Sequence, residues 1–276
     1  MAAMSHLRLL LLLSVGVTVS PVLDLQKRII GGQPCERQYH VKLRVAAGKS
    51  SKLCGGSLIS DRWILTAAHC LKPGNMFADL SVHPGGPAQE VQITAEPVIY
   101  TDNRTRSHDI MLLQLPSPSN IPPLALPDCN CRPEMFEIAG HAATTGGPND
   151  ERKPGESPTL HCADIHVVNC ADLKNTLQKD FRKVYQVKLY QHWFCGQTPK
   201  MDICYGDSGG GVVYKDKIYG VISFLGDPGH VCRRAAAFMD LCNPEYAAWI
   251  KKLLPEEKKM STDVLNCKHS IKIKAE

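Results

Sequence analysis

Short runs in which apolar side chains alternate with polar ones recur along the chain, and most of these runs are rich in β-branched residues. Gly, Pro, Asn and Asp separate them, which is the spacing of an antiparallel barrel or sandwich. The clearest examples are HVKLRVAA, RWILTAA, EVQITAEPVIY, DIMLLQL, GGVVY and KIYGVISF. The pattern therefore predicts an all-β protein.

Helical periodicity is confined to two late segments. The later helical segment is 243–254, in which Asn243 suits the N-cap position and Pro244 suits the first helical position. The proline-rich stretch 116–133 predicts a connector between two halves of the chain. In the first helical segment, 171–186, apolar residues recur at intervals of four, four and three, at Leu173, Leu177, Phe181 and Val184.

The N-terminus has the anatomy of a secretory signal peptide. One basic residue, Arg8, precedes an apolar stretch that fades into small residues and is too short to span a membrane. We place the cleavage between Gly16 and Leu23, so the signal covers about residues 1–20. No later run is long and apolar enough to cross a bilayer. We therefore predict a protein that is secreted, or stored in secretory granules, with one domain of the larger all-β kind.

Composition narrows the chemistry further. The chain has twelve cysteines, which in a secreted protein indicate a disulfide framework. His69-Cys70 and Cys129-Asn130-Cys131 resemble metal ligands, but neither has the CxxC pairs of a structural zinc site, so we predict no metal and no cofactor. The net charge of +5 comes without arginine-rich blocks, which argues against a dedicated nucleic-acid-binding protein.

Three separated stretches carry the residue types of nucleophilic catalysis. LTAAHC contains His69, Asp109 begins an apolar run, and Ser208 lies in GDSGG at 206–210. A serine hydroxyl needs a base within hydrogen-bond reach, and that base needs an oriented carboxylate. Histidine suits the base role at neutral pH. Alone, GDSGG could be a surface turn and His69 a core residue, but the three together indicate a catalytic set.

These stretches belong to five motifs that resemble the chymotrypsin/trypsin family of serine proteases over residues 29–254. The motifs are IIGG (29–32), CGGSLIS…WILTAAHC (54–70), DIMLLQL (109–115), DxCxGDSGG (202–210) and GVIS (220–223). The resemblance implies an all-β fold of two packed six-stranded antiparallel β-barrels with a C-terminal helix. The implied parts are a protease domain (29–255), with barrels at about 29–133 and 134–242 and a helix at about 244–254, then a C-terminal extension (256–276).

Carried over residue by residue, the resemblance implies a role for each part of the catalytic set. Ser208 would be the nucleophile, His69 the general base and Asp109 the carboxylate that orients the base. The backbone N–H groups of Gly206 and Ser208 would form the oxyanion hole, where a glycine lets the backbone approach the developing charge. Peptide bonds of protein or peptide substrates would be hydrolysed through an acyl-enzyme.

The family is made as zymogens, and this chain matches the activation pattern. Lys27-Arg28 precedes Ile29, so a trypsin-like protease that cuts after Arg28 would release residues 21–28 as a propeptide. The new α-amino group of Ile29 would then pair with Asp207, because a buried carboxylate is costly unless it is paired. We therefore expect the uncut chain to be nearly inactive.

The primary specificity pocket is implied by register. Asp202 stands six residues before the nucleophile, where the family has the residue at the base of this pocket, and an aspartate there implies cleavage after Arg or Lys. Ser223 matches the residue that binds the substrate backbone. The walls differ from the family, because Phe224-Leu225 replaces Trp-Gly and Ala236 replaces a glycine. We expect these changes to restrict the substrates.

The resemblance also implies a set of disulfides, with one alternative left open. Cys242 would pair with either Cys129 or Cys131, and we expect the other of these two to pair with Cys267 in the C-terminal extension. The remaining implied pairs are Cys35–Cys162, Cys54–Cys70, Cys170–Cys195 and Cys204–Cys232.

The sequence therefore predicts a secreted, monomeric serine endopeptidase of restricted trypsin-like specificity, similar to the regulated granule, complement or kallikrein-like members. Its partners would be substrates, an activating trypsin-like protease and protein protease inhibitors. The alternative is a binding protein with the protease fold and little or no turnover. Asn103-Arg104-Thr105 is a glycosylation sequon. The long segment between Cys170 and Cys195 is either an exosite or without a role in recognition.

Overall fold

Two antiparallel β-sheets of seven strands each and three α-helices make up the fold in the part of the chain that the structure describes. The computed structural model describes residues 29–47, 50–81, 88–143, 146–199 and 201–254. The predicted signal peptide, the propeptide with Arg28 and the C-terminal extension lie outside these residues. The first described strand, β1 (Gln33–Pro34), has two residues.

The first sheet is built from the N-terminal half of the domain. Side chains along a strand point alternately to the two faces of the sheet, which explains the core of this sheet. In the strand 40–47, Val41, Leu43 and Val45 are buried, whereas Lys42 and Arg44 between them form salt bridges. The strands are β2 (His40–Ala47), β3 (Ser50–Leu58), β4 (Trp63–Thr66), β5 (Asn75–Leu80), β6 (Gln89–Ile93), β7 (Val98–Thr101) and β8 (Ser107–Gln114). Their spatial order is β6-β5-β2-β3-β4-β8-β7.

The second sheet closes on itself. Its strands are β9 (Met135–Ala142), β10 (Glu156–Val168), β11 (Trp193–Gln197), β12 (Gly211–Tyr214), β13 (Lys217–Phe224) and β14 (Ala236–Asp240), with β1 at the edge. The spatial order is β1-β10-β11-β14-β13-β12-β9, and β9 also pairs with β10. That extra pairing makes β9 to β14 a six-stranded barrel, as predicted, and β1 adds the seventh strand. The all-β prediction with two antiparallel barrels is confirmed.

The helices lie where the sequence predicted them, but the first is interrupted. Phe181 (φ −133°, ψ 50°) separates α1 (Ala171–Asp180) from α2 (Arg182–Lys188). Leu173 and Leu177 are buried, whereas Phe181 and Val184 are exposed, so the predicted apolar face holds only for α1. α3 (Pro244–Leu253) begins as predicted, because the Asn243 side chain accepts hydrogen bonds from the backbone of residues 245 and 246. None of the described helices is long and apolar enough to cross a membrane.

A buried apolar cluster joins both barrels to α3. Leu65 and Leu112 contribute from the first sheet, Val221 from the second, and Tyr246 and Ile250 from the helix. Burying one such side chain is worth roughly 1.5–3 kcal/mol. The cluster therefore fixes the relative position of the barrels, and with it the junction where the candidate site lies.

Four of the predicted disulfides are present. Cys242 pairs with Cys129, which resolves the alternative left open by the sequence. Cys131 is also disulfide-bonded, and the predicted pairing with Cys267 lies outside the described residues. The other three confirmed pairs are Cys35–Cys162, Cys54–Cys70 and Cys170–Cys195.

Candidate active site

His69 and Asp109 are held together by the first barrel. His69 lies in a 3-10 turn (Ala68–Cys70) that directly follows β4, and the disulfide from Cys70 to Cys54 ties this turn to β3. Asp109 lies on β8, the strand that pairs with β4. The turn and the strand thus place the imidazole against the carboxylate.

The Asp109 carboxylate is buried and accepts several hydrogen bonds. His69 N donates to Oδ1 over 2.9 Å, and His69 Nδ1 lies 3.0 Å from both carboxylate oxygens. Ser223 Oγ donates to Oδ2, and the backbone N of Asp109 donates to Gln191 Oε1 over 3.0 Å. These contacts fix the carboxylate and the ring nitrogen that faces it, which is the orienting geometry expected of a base and its partner.

A lysine that sequence reasoning missed also binds this carboxylate. Lys188, at the end of α2, places Nζ 2.8 Å from Asp109 Oδ2 and 3.1 Å from Ser223 Oγ. Burial alone would raise the pKa of Asp109, but the hydrogen bond from His69 and the charge of Lys188 outweigh it and hold the pKa well below its usual range. The only signal in the sequence was the unusual length of the segment between Cys170 and Cys195.

Ser208 lies in a tight turn between the two barrels. Gly55 N, on β3, donates to Ser208 O over 2.7 Å. Gly206 (φ +112°) and Gly209 (φ +85°) adopt left-handed backbone conformations, and a Cβ on Gly209 would lie 2.2 Å from Thr66 Oγ1. The glycines of this stretch therefore serve close packing where the two barrels meet, and the interpretation of GDSGG as an exposed surface turn is wrong.

One cavity brings the candidate catalytic residues together. It has a volume of about 670 Å³ and is lined by His69, Gly206 and Ser208, with Leu53, Tyr205 and Glu156 among its other walls. In the described part of the chain, no hydrogen bond joins Ser208 Oγ to His69, whose recorded ring contacts are with Asp109. In unliganded sites such bonds are often long and tighten only when substrate binds.

Asp207 is fully buried without a cationic group bonded to it among the described residues. Its Oδ1 accepts from Ala142 N over 3.0 Å and its Oδ2 from Cys204 N over 2.8 Å. Burial raises the pKa of Asp207 to about 6. Ile29 is also fully buried, and its φ of 30° is unfavourable for a β-branched residue. Arg28, the predicted cleavage residue, lies outside the described residues.

Asp202 does not present an open carboxylate at the base of a pocket. Its side chain is 6% exposed, and Oδ2 accepts from Arg152 Nη2 over 2.6 Å and from Cys232 N over 2.7 Å. Burial raises the pKa of Asp202, and Arg152 opposes that rise. The expectation that this carboxylate awaits a substrate Arg or Lys is therefore corrected. Sequence reasoning missed Arg152 because it lies in a loop without pattern and meets Asp202 only in the fold.

The predicted disulfide between Cys204 and Cys232 is not formed, and the prediction is wrong for this structure. Cys204 Sγ instead lies 3.4 Å from Lys153 O, and burial raises the pKa of its thiol. The Arg152 guanidinium donates to Ile203 O, next to Cys204, and to His230 O, two residues before Cys232. A side chain thus lies between the two segments that the bridge would join.

The remaining predicted pocket residues pack against their own barrel. Leu225 contacts the buried cluster of the second barrel, and Ala236 is part of that cluster. The Phe224 ring lies edge-on to Trp193, with centroids 5.3 Å apart, and Lys188 Nζ lies 4.9 Å from the Phe224 centroid. The helical segment thus covers the strand that carries Ser223.

Two other sequence features can be placed. Asn103 of the sequon is exposed, in a turn before β8, where a glycan would have room. Cys54, His69 and Cys70 lie close enough to suggest a metal site, but the two sulfurs are joined in a disulfide. This group therefore offers His69 alone as an ordinary ligand.

Comparison with known proteins identifies the family to which the chain belongs. The family model described as Trypsin matches residues 29–250, and the chain belongs to this family of serine proteases. Human putative trypsin-6 is 31% identical over 267 residues, covering 88% of this chain and 96% of that relative. Human kallikrein-8 is 29% identical over 242 residues, covering 83% and 87% respectively.

Solved structures agree on the fold. Mouse brain neuropsin, a serine protease, superimposes with a TM-score of 0.62 at 28% identity, covering 80% of this chain and 97% of its own. A scabies mite inactivated protease paralogue reaches a TM-score of 0.64 at 18% identity, covering 81% and 96%. The second likeness concerns the fold alone.

Proposed function

We propose that this protein is a serine endopeptidase that hydrolyses peptide bonds of proteins or peptides through an acyl-enzyme. The observation that carries the proposal is the buried Asp109 carboxylate, which accepts from both the backbone and the ring of His69 beside a cavity that Ser208 also lines. Membership of the trypsin family supports the same reaction class.

In the proposed mechanism, Ser208 Oγ attacks the carbonyl carbon of the scissile bond while His69 Nε2 takes the serine proton. Asp109 stabilises the imidazolium that forms, and the N–H groups of Gly206 and Ser208 bind the developing oxyanion. The imidazolium then protonates the leaving amine, and water activated by His69 releases the acyl group from Ser208.

Activation by cleavage between Arg28 and Ile29 is part of the proposal, and a trypsin-like protease would perform it. Two observations support it: Asp207 is a buried carboxylate whose recorded bonds come only from backbone donors, and Ile29 is already buried. A new ammonium group on Ile29 would supply the missing counter-charge. Release of the propeptide would also free the backbone at Ile29 to leave its unfavourable φ.

Secretion completes the proposal. The disulfides favour an oxidising compartment, and the exposed Asn103 is open to glycosylation. We expect a monomer whose partners are substrates, the activating protease and protein protease inhibitors. We do not propose cleavage after Arg or Lys, which Asp202 alone would imply, because Arg152 already binds that carboxylate.

The second candidate function is a binding protein with the protease fold. One observation favours it: Lys188 shares Asp109 with His69, and no hydrogen bond joins His69 to Ser208 in the described residues. The retention of His69, Asp109 and Ser208 favours the enzyme.

A peptide library incubated with the protein cleaved after Arg28 separates the two candidates. Cleavage products that are absent with the Ser208→Ala variant, cleaved in the same way, support the endopeptidase. If a broad library yields no product with verified cleaved protein, the proposed function is wrong and the binding protein takes its place.

A further inference from the structure

A buried ion pair includes Asp202, the residue that the family resemblance assigns to the base of the primary specificity pocket. Arg152 and Asp202 have side chains that are 1% and 6% exposed, and Arg152 Nη2 lies 2.6 Å from Asp202 Oδ2. A charge this deeply buried is stable only when its partner and its remaining hydrogen-bonding groups are satisfied.

The guanidinium is held on all three of its nitrogens. Nε donates to Asp227 O over 3.0 Å, Nη1 donates to Ile203 O, and Nη2 donates to His230 O over 2.9 Å as well as to Asp202. Few donors remain for any other ligand, because an arginine offers five in a fixed fork. The ion pair between Arg152 and Asp202 is therefore part of the folded structure, with the guanidinium hydrogen-bonded on every nitrogen.

The backbone around Arg152 is fixed as well. Arg152 N donates to Gly229 O over 2.8 Å, Val231 N donates to Asp150 O over 2.9 Å, and Glu151 forms an antiparallel bridge with His230. Two short segments thus run side by side and hold the arginine from both ends. The backbone position of Arg152 is therefore fixed, and a rotation of its side chain away from Asp202 would break the four hydrogen bonds of the guanidinium.

Both carboxylates near this position are already engaged by neighbouring groups. Asp202 Oδ1 accepts from Ile203 N over 2.8 Å, and Oδ2 accepts from Cys232 N in addition to Arg152. The Asp227 carboxylate accepts from the backbone N of Gly229 and His230. Beyond these bonds, the His230 ring and the Arg233 guanidinium each lie 3.7 Å from an Asp227 carboxylate oxygen.

We infer that Arg152 determines specificity by taking the place of the substrate's basic side chain, so that this protease cleaves after uncharged residues and not after Arg or Lys. A substrate lysine or arginine would lose its hydration and meet a cation where the family offers an anion. This inference rests on the proposed function, because it concerns the pocket of the same site.

Binding of p-aminobenzamidine, an aromatic amidinium that mimics an arginine side chain, tests the inference without catalysis. The titration uses the Ser208→Ala protein cleaved after Arg28, with and without Arg152→Met, and with Lys153→Met as the matched control. We expect Arg152→Met to bind the amidinium at least tenfold more tightly than the protein with Arg152. We expect Lys153→Met to leave the affinity unchanged.

Arg152→Gln is a second variant, to be used if Arg152→Met does not fold. The glutamine amide keeps a hydrogen-bond donor for the carbonyl groups around position 152. Thermal unfolding monitors both variants. A trypsin titrated in parallel gives the affinity of an open pocket, and this comparison decides the question if neither variant folds: binding more than tenfold weaker than trypsin then supports the inference. Binding within tenfold of trypsin, or an affinity that neither folded variant changes, overturns it.

The peptide library keeps the two proposals apart. Cleavage after uncharged residues supports both, and cleavage mainly after Arg or Lys supports the endopeptidase but overturns the role of Arg152. If the library yields no product, the endopeptidase proposal fails, and the amidinium titration still decides whether Arg152 closes the pocket to cations.

Discussion

At the scale of single residues, Asp207 is a carboxylic acid that the fold removes completely from water. It is fully buried, its recorded hydrogen bonds come from two backbone N–H groups, and its pKa is raised to about 6. A raised pKa in the folded state means that folding favours the protonated form. The uncut chain therefore carries an electrostatic cost at neutral pH that cleavage would remove.

The pH dependence of stability tests this cost. The contribution from Asp207 is fully present below the unfolded pKa of about 3.8 and is lost as pH rises to about 6, which amounts to about 3 kcal/mol. We expect urea unfolding of the uncut Ser208→Ala chain to show this decline and the added Asp207→Asn change to remove it. Equal slopes in the two proteins would contradict the assignment.

Gly140, on β9, leaves the space that Asp207 occupies. A Cβ there would lie 1.9 Å from Asp207 Oδ1, so we expect Gly140→Ala to lower the free energy of unfolding by about 1–3 kcal/mol through overpacking. Gly146→Ala is the control, because the nearest atom to its Cβ would be at an ordinary 3.4 Å. Urea unfolding measures both, and equal stability of the two variants would show that Asp207 lies elsewhere.

The positions of residues that lie in a local sequence motif could be predicted from the sequence. The positions of residues whose role depends on a contact far along the chain could not. His69, Asp109 and Ser208 stand in short motifs whose neighbours the family shares, so their positions could be predicted. Arg152 meets Asp202 across 50 positions of sequence, and no local pattern encodes that meeting. The catalytic roles themselves stay predictions until they are measured.

At the scale of secondary structure, the segment formed by α1 and α2 is the main departure from the expected site. α1 buries Leu173 and Leu177 against the second barrel, and Trp193 Nε1 donates to Lys188 O over 2.9 Å. These contacts anchor the end of α2 over Ser223. The sequence predicted a helix here but left its role open, and the structure places its last residue on Asp109.

Removing the charge of Lys188 should change the pH dependence of catalysis. Without this cation, Asp109 stabilises the imidazolium of His69 more strongly, so we expect the acid limb of kcat/KM to move up by roughly one pH unit in Lys188→Met. Lys183→Met, an exposed change on the same helix, is the control. A pH–rate profile of the activated enzyme that is the same in both variants would show that Lys188 is only structural.

At the scale of the whole molecule, the site exists only because two barrels meet. His69 and Asp109 come from the first barrel, Ser208 and Ser223 from the second, and the cluster around Tyr246 holds the halves together. The fold class could be predicted because the alternation of apolar and polar residues is a local signal. The disulfide pairs came from the family resemblance, and only the structure shows that Cys242 pairs with Cys129. The absence of the Cys204–Cys232 bridge could not be predicted, and neither could the contact of Arg152 with the two segments that carry these cysteines, because no local pattern encodes either.

Fluorophosphonate labelling of Ser208, before and after cleavage between Arg28 and Ile29, tests the central claim most directly, with Ser208→Ala as the control. The reagent reacts only with a serine that a nearby base has activated. We expect labelling to appear after cleavage and to be absent both from the uncut chain and from Ser208→Ala. Labelling of the uncut chain to the same extent would contradict zymogen control, and no labelling after verified cleavage would contradict the catalytic role of Ser208.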